Sequence, residues 1–282
     1  MSQVRTNPFA LIPMVAFLIL GTSDLSAQDE PPLGWTDVAE LTFVLTGGNA
    51  TSSTLGLKNS LGHRWEDAVF QLALGAVRAE SGLTSRTATG TIDDFSVARR
   101  TVTEATAENY FVQSRYDRNI SESTYLFGGA GWDRNTFAGV QNRYGFVAGV
   151  GRTWADQEAR RFKSDIGLTY TIQDDVIEDP SREDGFGGVK ATLDFFQSLS
   201  STTDYTSLLV VDENLSDSDD LRADWTNSVA VSMSENLALK ASLRILYDNS
   251  PALISVPLGA DQVLVPLEKS DTALTLALVI DF

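Results

Sequence analysis

The chain has 282 residues, no cysteine, a single histidine, a formal net charge of -17 and a mean hydropathy of -0.07. Without cysteine there is no disulfide framework, thiolate metal site or cysteine nucleophile, and one histidine excludes any site built on two imidazoles. The negative charge argues against nucleic-acid partners, whose phosphates need basic patches, and the hydropathy excludes a helical membrane bundle.

The N-terminus reads as an address. One positive residue (Arg5), the apolar run from Phe9 to Leu20 and the small residue Ala27 fit a secretory signal peptide over residues 1–27. The run falls short of the roughly 20 residues that a membrane-spanning helix needs. No cysteine follows it, so a lipoprotein anchor is not expected. Residues 28–33 read as a short acidic, proline-bearing linker, and 34–282 as one domain.

Beyond Pro32 the apolar side chains recur at every second position, the signature of half-buried strands. Leu41, Phe43 and Leu45 share one face of the first stretch, and a Gly47-Gly48-Asn49 turn follows. Leu55, Leu57 and Leu61 mark the second stretch, and Phe70, Leu72 and Leu74 the third. Tyr110, Val112 and Tyr116 mark the fourth. The fifth, Tyr125 to Trp132, is glycine-rich and its facing is ambiguous. Tyr144, Phe146 and Val150 mark the sixth, Ile166, Leu168, Tyr170 and Ile172 the seventh, and Val189 to Phe195 the eighth. Leu209 and Val211 mark a short ninth. Trp225, Val229 and Val231 mark the tenth, Leu239, Leu243 and Ile245 the eleventh, and Leu274 to Phe282 the last.

The connections alternate short and long along most of the chain, the first hairpin at 47–50 being the exception on the long side. Short ones fall near 62–65, 117–121, 155–159, 198–202 and 234–236; longer ones are expected at 81–103, 133–142, 173–185, 212–220 and 249–267. Outer-membrane barrels keep short periplasmic turns and longer outer loops, and a soluble sandwich has no reason for this parity. The expectation is therefore all-β: an antiparallel up-and-down transmembrane β-barrel of about 12 strands, with 10–14 allowed. Trp35, Trp65 and Trp154 near the short-turn ends and Trp132 near the opposite end suit interfacial girdles, whereas Trp225 has no evident place in them. The terminal Phe282 on an alternating strand resembles the assembly signal read by the barrel assembly machinery.

The run from Gly34, Gly-Trp-Thr-Asp-Val-Ala-Glu-Leu-Thr-Phe-Val-Leu-Thr-Gly-Gly-Asn-Ala-Thr, resembles the opening strand of a bacterial family of unknown function, the YdiY-like salt-induced outer-membrane proteins. Thr46, Gly48 and Asn49 match its Thr-x-Gly-Asn turn. Ala223-Asp224-Trp225-Thr226-Asn227 and the final strand from Lys269 are similar to it as well. The resemblance covers about 33–282 and implies an outer-membrane barrel, with no catalytic residues to carry over.

No cofactor and no catalysis are expected. His63 is the one candidate base, but Ser60 lies three residues away on a strand and so on the opposite face. Acidic loop residues form three groups: Asp174, Asp175, Glu178, Asp179, Glu183 and Asp184; Asp212, Glu213, Asp217, Asp219 and Asp220; and Asp93 and Asp94. Weak divalent-cation binding is conceivable there, but the spacing matches no calcium loop and a solvated, charge-repelling surface is favoured. The face expected to line the lumen carries the acids Glu40, Asp165, Asp194 and Asp224. Its bases are Lys58, Arg115, Lys163, Lys190, Arg222, Lys240 and Arg244, a basic surplus. That composition suits either a small anion-tolerant pore or, more favoured, a lumen filled by side chains. The expected role is structural or narrow pore-forming in the outer membrane, with lipid and the assembly machinery as partners. The alternatives are a lipid-modifying enzyme and a soluble periplasmic barrel holding an apolar ligand.

Overall fold

The computed structural model describes residues 33–46, 50–90, 95–179, 182–258 and 261–281. The signal-peptide segment, the linker to residue 32, the Gly47–Asn49 turn, Asp93, Asp94 and Phe282 lie outside the described residues. Strands run β1 Gly34–Thr46, β2 Ala50–Arg64, β3 Ala68–Gly90, β4 Phe95–Asn119, β5 Thr124–Asn135, β6 Val140–Gln157 and β7 Arg160–Asp175. They continue as β8 Gly185–Ser200, β9 Thr203–Asn214, β10 Leu221–Ser234, β11 Leu237–Asp248, β12 Leu253–Leu258, β13 Asp261–Pro266 and β14 Ser270–Asp281. All but β12 and β13 form a closed antiparallel barrel in which each strand pairs with its sequence neighbours and β1 pairs with β14. Twelve strands closed this way leave no sheet edge in the wall.

The wall is built inside out. Period-two alternation sends one face of every strand outward and the other into the ring. Along β7, Ile166, Leu168, Tyr170 and Ile172 are exposed, whereas Gly167, Thr169, Thr171 and Gln173 between them are buried. On β14, Leu274 is 76% exposed and its neighbours Ala273 and Ala277 are buried. On β2 the order is the same, with Leu55 and Leu57 exposed and Lys58 only 3% exposed. Leucines outside and lysines inside reverse the pattern of a water-soluble protein.

Inward aromatics resolve the facing of the glycine-rich fifth strand. Tyr125 and Phe127 point into the ring, and both are buried. Phe127 lies across Gly149 and Gly167, which are register partners of each other on β6 and β7. Tyr125 lies over Gly151, and Phe111 of β4 over Gly75 of β3. A Cβ at any of these glycines would meet a ring, so the glycines are the floor on which the rings lie. Rings covering cross-strand glycines pin register.

Four expectations are corrected. The region 81–103 is no loop: β3 and β4 stay paired to Gly90–Phe95, past a bulge at Ala79/Glu80. This hairpin stands beyond its neighbours with exposed residues such as Ser96, Val97, Val102 and Thr103. On β4 the adjacent residues Ser96 and Val97, and Val102 and Thr103, are exposed on both faces, so no apolar alternation betrays the strand there. The loop at 133–142 shrinks to a 3-10 turn, Thr136–Ala138, capped by the Asn135 side chain and ended by Gly139 at φ +80°. Inside 249–267, β12 and β13 form a separate two-stranded hairpin. The ninth strand is also longer than its two apolar marks, because Leu208 and Val210 alternate inward beside Leu209 and Val211.

Gly149 gives a sharp test. A Cβ there would collide with the Ile166 carbonyl oxygen and come within 2.8 Å of the Phe127 ring, whereas at Gly145 it would meet nothing within 4 Å. Gly149→Ala should destabilise the barrel by about 1–3 kcal/mol and Gly145→Ala by under about 0.5 kcal/mol. Urea unfolding followed by heat-modifiable gel mobility measures both.

Candidate functional site: the polar interior

The interior charges sort into groups set by register. Glu40 on β1 lies directly across from Lys58 on β2, and its Oε1 accepts hydrogen bonds from both Lys58 Nζ and Lys240 Nζ, each at 3.1 Å. Lys240 sits on β11, so this bridge spans β14, whose Ala277 and Val279 leave room for it. Both lysines are almost fully buried, at 3% and 4% exposure. On the next pair of strands Arg244 donates to both oxygens of Asp224, at 2.9 and 2.5 Å, and Ser228 meets Ser242 at 2.9 Å. Bidentate arginine–carboxylate pairing of this kind fixes orientation as well as charge.

A second group crosses the opposite wall. Arg115 donates to Asp117 at 2.7 Å and to Asp165 at 2.8 Å, and its guanidinium lies 4.1 Å from the Phe127 ring centre. Tyr125 donates to the same Asp165 oxygen at 3.3 Å. Lys190 pairs with its register partner Asp212 at 3.2 Å. Lys163 and Asp194 also face each other in register, on β7 and β8, but make no ion pair. Along one side of these residues lies an internal cavity of about 330 Å³, toward the short-turn end, with Arg161, Phe196 and Leu208 on its wall.

Polar contacts gather at the long-loop end. Arg222 grips Asp220 at 2.8 and 2.9 Å and reaches Gln173 at 3.3 Å. Arg143 holds Asp133 through two bonds of 2.9 and 3.0 Å. Arg182 joins Asp175 at 3.2 Å and also the Ser250 carbonyl, drawing the 249–252 segment over the ring. Ala252 then packs against Gly139, where any side chain would strike it.

These partners change the charge balance. The residues expected to line the lumen carried seven bases and four acids. Among the described residues, Asp117, Asp212 and Asp220 pair with Arg115, Lys190 and Arg222, and Asp248 lies 3.9 Å from Arg222. The surplus of base therefore does not describe the interior. Two of these acids were legible, since Asp117 and Asp220 stand two residues from their arginines and so on the same face. Asp212 and the inward rings of Phe111, Tyr125, Phe127, Phe186 and Phe196 required the register.

His63 is among the residues that border the cavity at the short-turn end. It packs on the outward side between Trp35 and Trp65, with ring centres 4.5 and 4.2 Å away, while Ser60 is on the other face of β2. The acidic loops are partly neutralised, with Asp175 on Arg182 and Asp220 on Arg222. Among the described residues no three acids or histidines are placed to hold a metal ion.

The Glu40 bridge generates a prediction. Glu40→Gln leaves two buried ammonium groups without a counter-charge and should cost about 3–5 kcal/mol. The triple variant Glu40→Leu, Lys58→Met, Lys240→Met should recover most of that loss. Urea titration of the folded, fast-migrating form checks both.

Comparisons with known proteins follow the geometry. Among solved structures, the NanC porin aligns at a TM-score of 0.46 and 10% identity, over 87% of this chain and 98% of that one. The translocator domain of the autotransporter NalP from Neisseria meningitidis aligns at 0.47 and 13% identity, over 90% of each chain. A bacterial polysaccharide outer membrane secretin aligns at 0.41 and 8% identity, over 90% of this chain and 100% of that one. The barrel assignment rests on the strand ladder itself and not on these distant likenesses. No curated protein matches the chain. The family model described as "Protein of unknown function, DUF481" matches residues 39–282.

Proposed function

The chain belongs to the DUF481 family, and from that premise we propose that it is an outer-membrane β-barrel with a structural or narrow pore-forming role in the cell envelope. The observation that carries this reading is the inverted wall: exposed leucines outside, buried lysines and arginines inside, on every second residue of a closed ring. Only a lipid surround makes such an exterior favourable. Aromatic side chains support it at both ends. Trp35, Trp65, Trp154 and Tyr116 are exposed near the short turns, and Tyr144, Trp225 and Tyr247 toward the long-loop end. Trp225 thereby gains a place in an upper girdle, its ring nitrogen donating to Ser207 at 3.1 Å.

The same reading takes residues 1–27 as the cleaved signal peptide, Phe282 as the assembly signal and the YdiY-like salt-induced proteins as relatives. The narrow lumen follows from what fills it: the Glu40 bridge, the Asp224–Arg244 pair, the inward rings and the tied loops at the long-loop end. The placement of His63 among tryptophans, away from Ser60, disfavours a lipid-modifying enzyme. A soluble barrel around an apolar ligand needs the opposite facing of leucine and lysine.

Cell fractionation should place the protein in carbonate-washed outer membranes, and purified protein should show heat-modifiable mobility. In planar bilayers it should give no large, steady conductance. Soluble recovery would overturn the membrane reading, and a wide steady channel would overturn the filled lumen.

A further inference from the structure

The 330 Å³ cavity is lined by opposite charges that face each other without closing into ion pairs. On the interior wall several register partners of opposite charge meet, Glu40 with Lys58 at 3.1 Å, Asp133 with Arg143 at 2.9 Å and Lys190 with Asp212 at 3.2 Å, whereas Asp156 and Arg161, register partners that line the cavity, form no ion pair. Lys163 and Asp194 are register partners in the same way. Partners across antiparallel strands have Cβ atoms about 5 Å apart, well within reach of a lysine side chain. Their ends nonetheless form no ion pair, and both residues line the cavity. Arg161 and Arg115 line it too, the Arg161 guanidinium lying 4.4 Å from the Phe196 ring centre.

A second observation lies beside the first. Asp165 is 5% exposed, and while its Oδ2 takes bonds from Arg115 and Tyr125, its Oδ1 is buried with no hydrogen-bond partner. An unpaired buried acceptor is costly, and such groups mark where a missing donor belongs. The cavity thus presents unsatisfied acceptors at Asp165 and Asp194 and an unengaged ammonium at Lys163. Its remaining wall includes Leu208, Val210 and Phe196.

We propose that this cavity binds a small zwitterion, a molecule of amino-acid size whose ammonium group meets Asp194 and Asp165 Oδ1 and whose carboxylate meets Lys163 and Arg161. A simple anion would satisfy the cations and leave the acids facing one another uncompensated. A simple cation would do the reverse. A zwitterion inserts into the open pair and compensates both, and its apolar side chain lies against Leu208 and Val210. The volume is that of a small-ligand pocket. The site does not depend on conduction, because a barrel closed at its long-loop end can still be filled from the short-turn end.

The test is calorimetric titration of the detergent-solubilised full chain with L-alanine, propionate and ethylamine as separate probes. L-alanine should bind saturably, and propionate and ethylamine should each bind at least about tenfold more weakly. Lys163→Gln and Asp194→Asn should each weaken L-alanine binding by about tenfold or more, and the exchange Lys163→Asp with Asp194→Lys should restore part of it, since the ligand can reverse. Heat-modifiable mobility verifies that each variant is folded. If a variant does not fold, the three probes on the unaltered chain decide alone. Equal binding of propionate and L-alanine would replace the proposal with a plain anion site. No saturable heat from L-alanine up to about 10 mM would overturn it. Failure here leaves the membrane reading untouched, because fractionation and mobility read that separately.

Discussion

Among the described residues, strands β1 and β14 share four rungs, Val38–Asp281 to Leu41–Leu278, whereas β1 pairs with β2 over its whole length. The hydrogen-bonded ring is thinnest where the chain's two ends must meet. Glu40 stands on one of those rungs, opposite Val279, and its carboxylate ties β2 to β11 across β14. Breaking the seam would separate the buried Glu40 carboxylate, which keeps Lys58 beside it on β2, from the buried ammonium of Lys240, in a medium where unpaired charge is costly. The bridge crosses β14 at the small inward side chain of Ala277, the register partner of Lys240. Closure thus couples a backbone ladder of few bonds to a side-chain clamp of three charges.

Once the ring is closed, its contents follow. A twelve-stranded barrel is wider than its wall side chains fill without help. Here the first half of the chain supplies rings that lie across glycines, while the second half supplies ion pairs and hydroxyls such as Ser228–Ser242. Loops reach inward at the long-loop end through Arg182 and Ala252. What is left open is the cavity near the short turns, where Lys163 and Asp194 face each other in register without an ion pair.

Much of this was legible in the chain. The alternation of Leu274, Leu276 and Leu278 with Ala273, Thr275 and Ala277 gives the strand and the facing together, and the parity of turn lengths gives the ring. Individual charges such as Lys58 and Lys240 were placed by the same alternation. Their partners were not, because Glu40 and Lys240 are two hundred residues apart and meet only when β1 finds β14. The inward rings were hidden for a similar reason: the facing of Phe127 is ambiguous until Gly149 and Gly167 are brought alongside it. The β3–β4 extension and the β12–β13 hairpin escaped notice because neither has a buried apolar face, and Pro257 and Pro266 sit inside strands where proline is normally read as a break.

The central claim is that a single wall separates a lipid face from a polar, clamped interior. The cysteine-free chain allows it to be measured residue by residue on the closing strand. Single cysteines placed at 272 to 279, labelled with a fluorophore in reconstituted vesicles, should be quenched by lipid-attached nitroxides at 272, 274, 276 and 278 and spared at 273, 275, 277 and 279. Uniform quenching, or none at any position, would contradict the account.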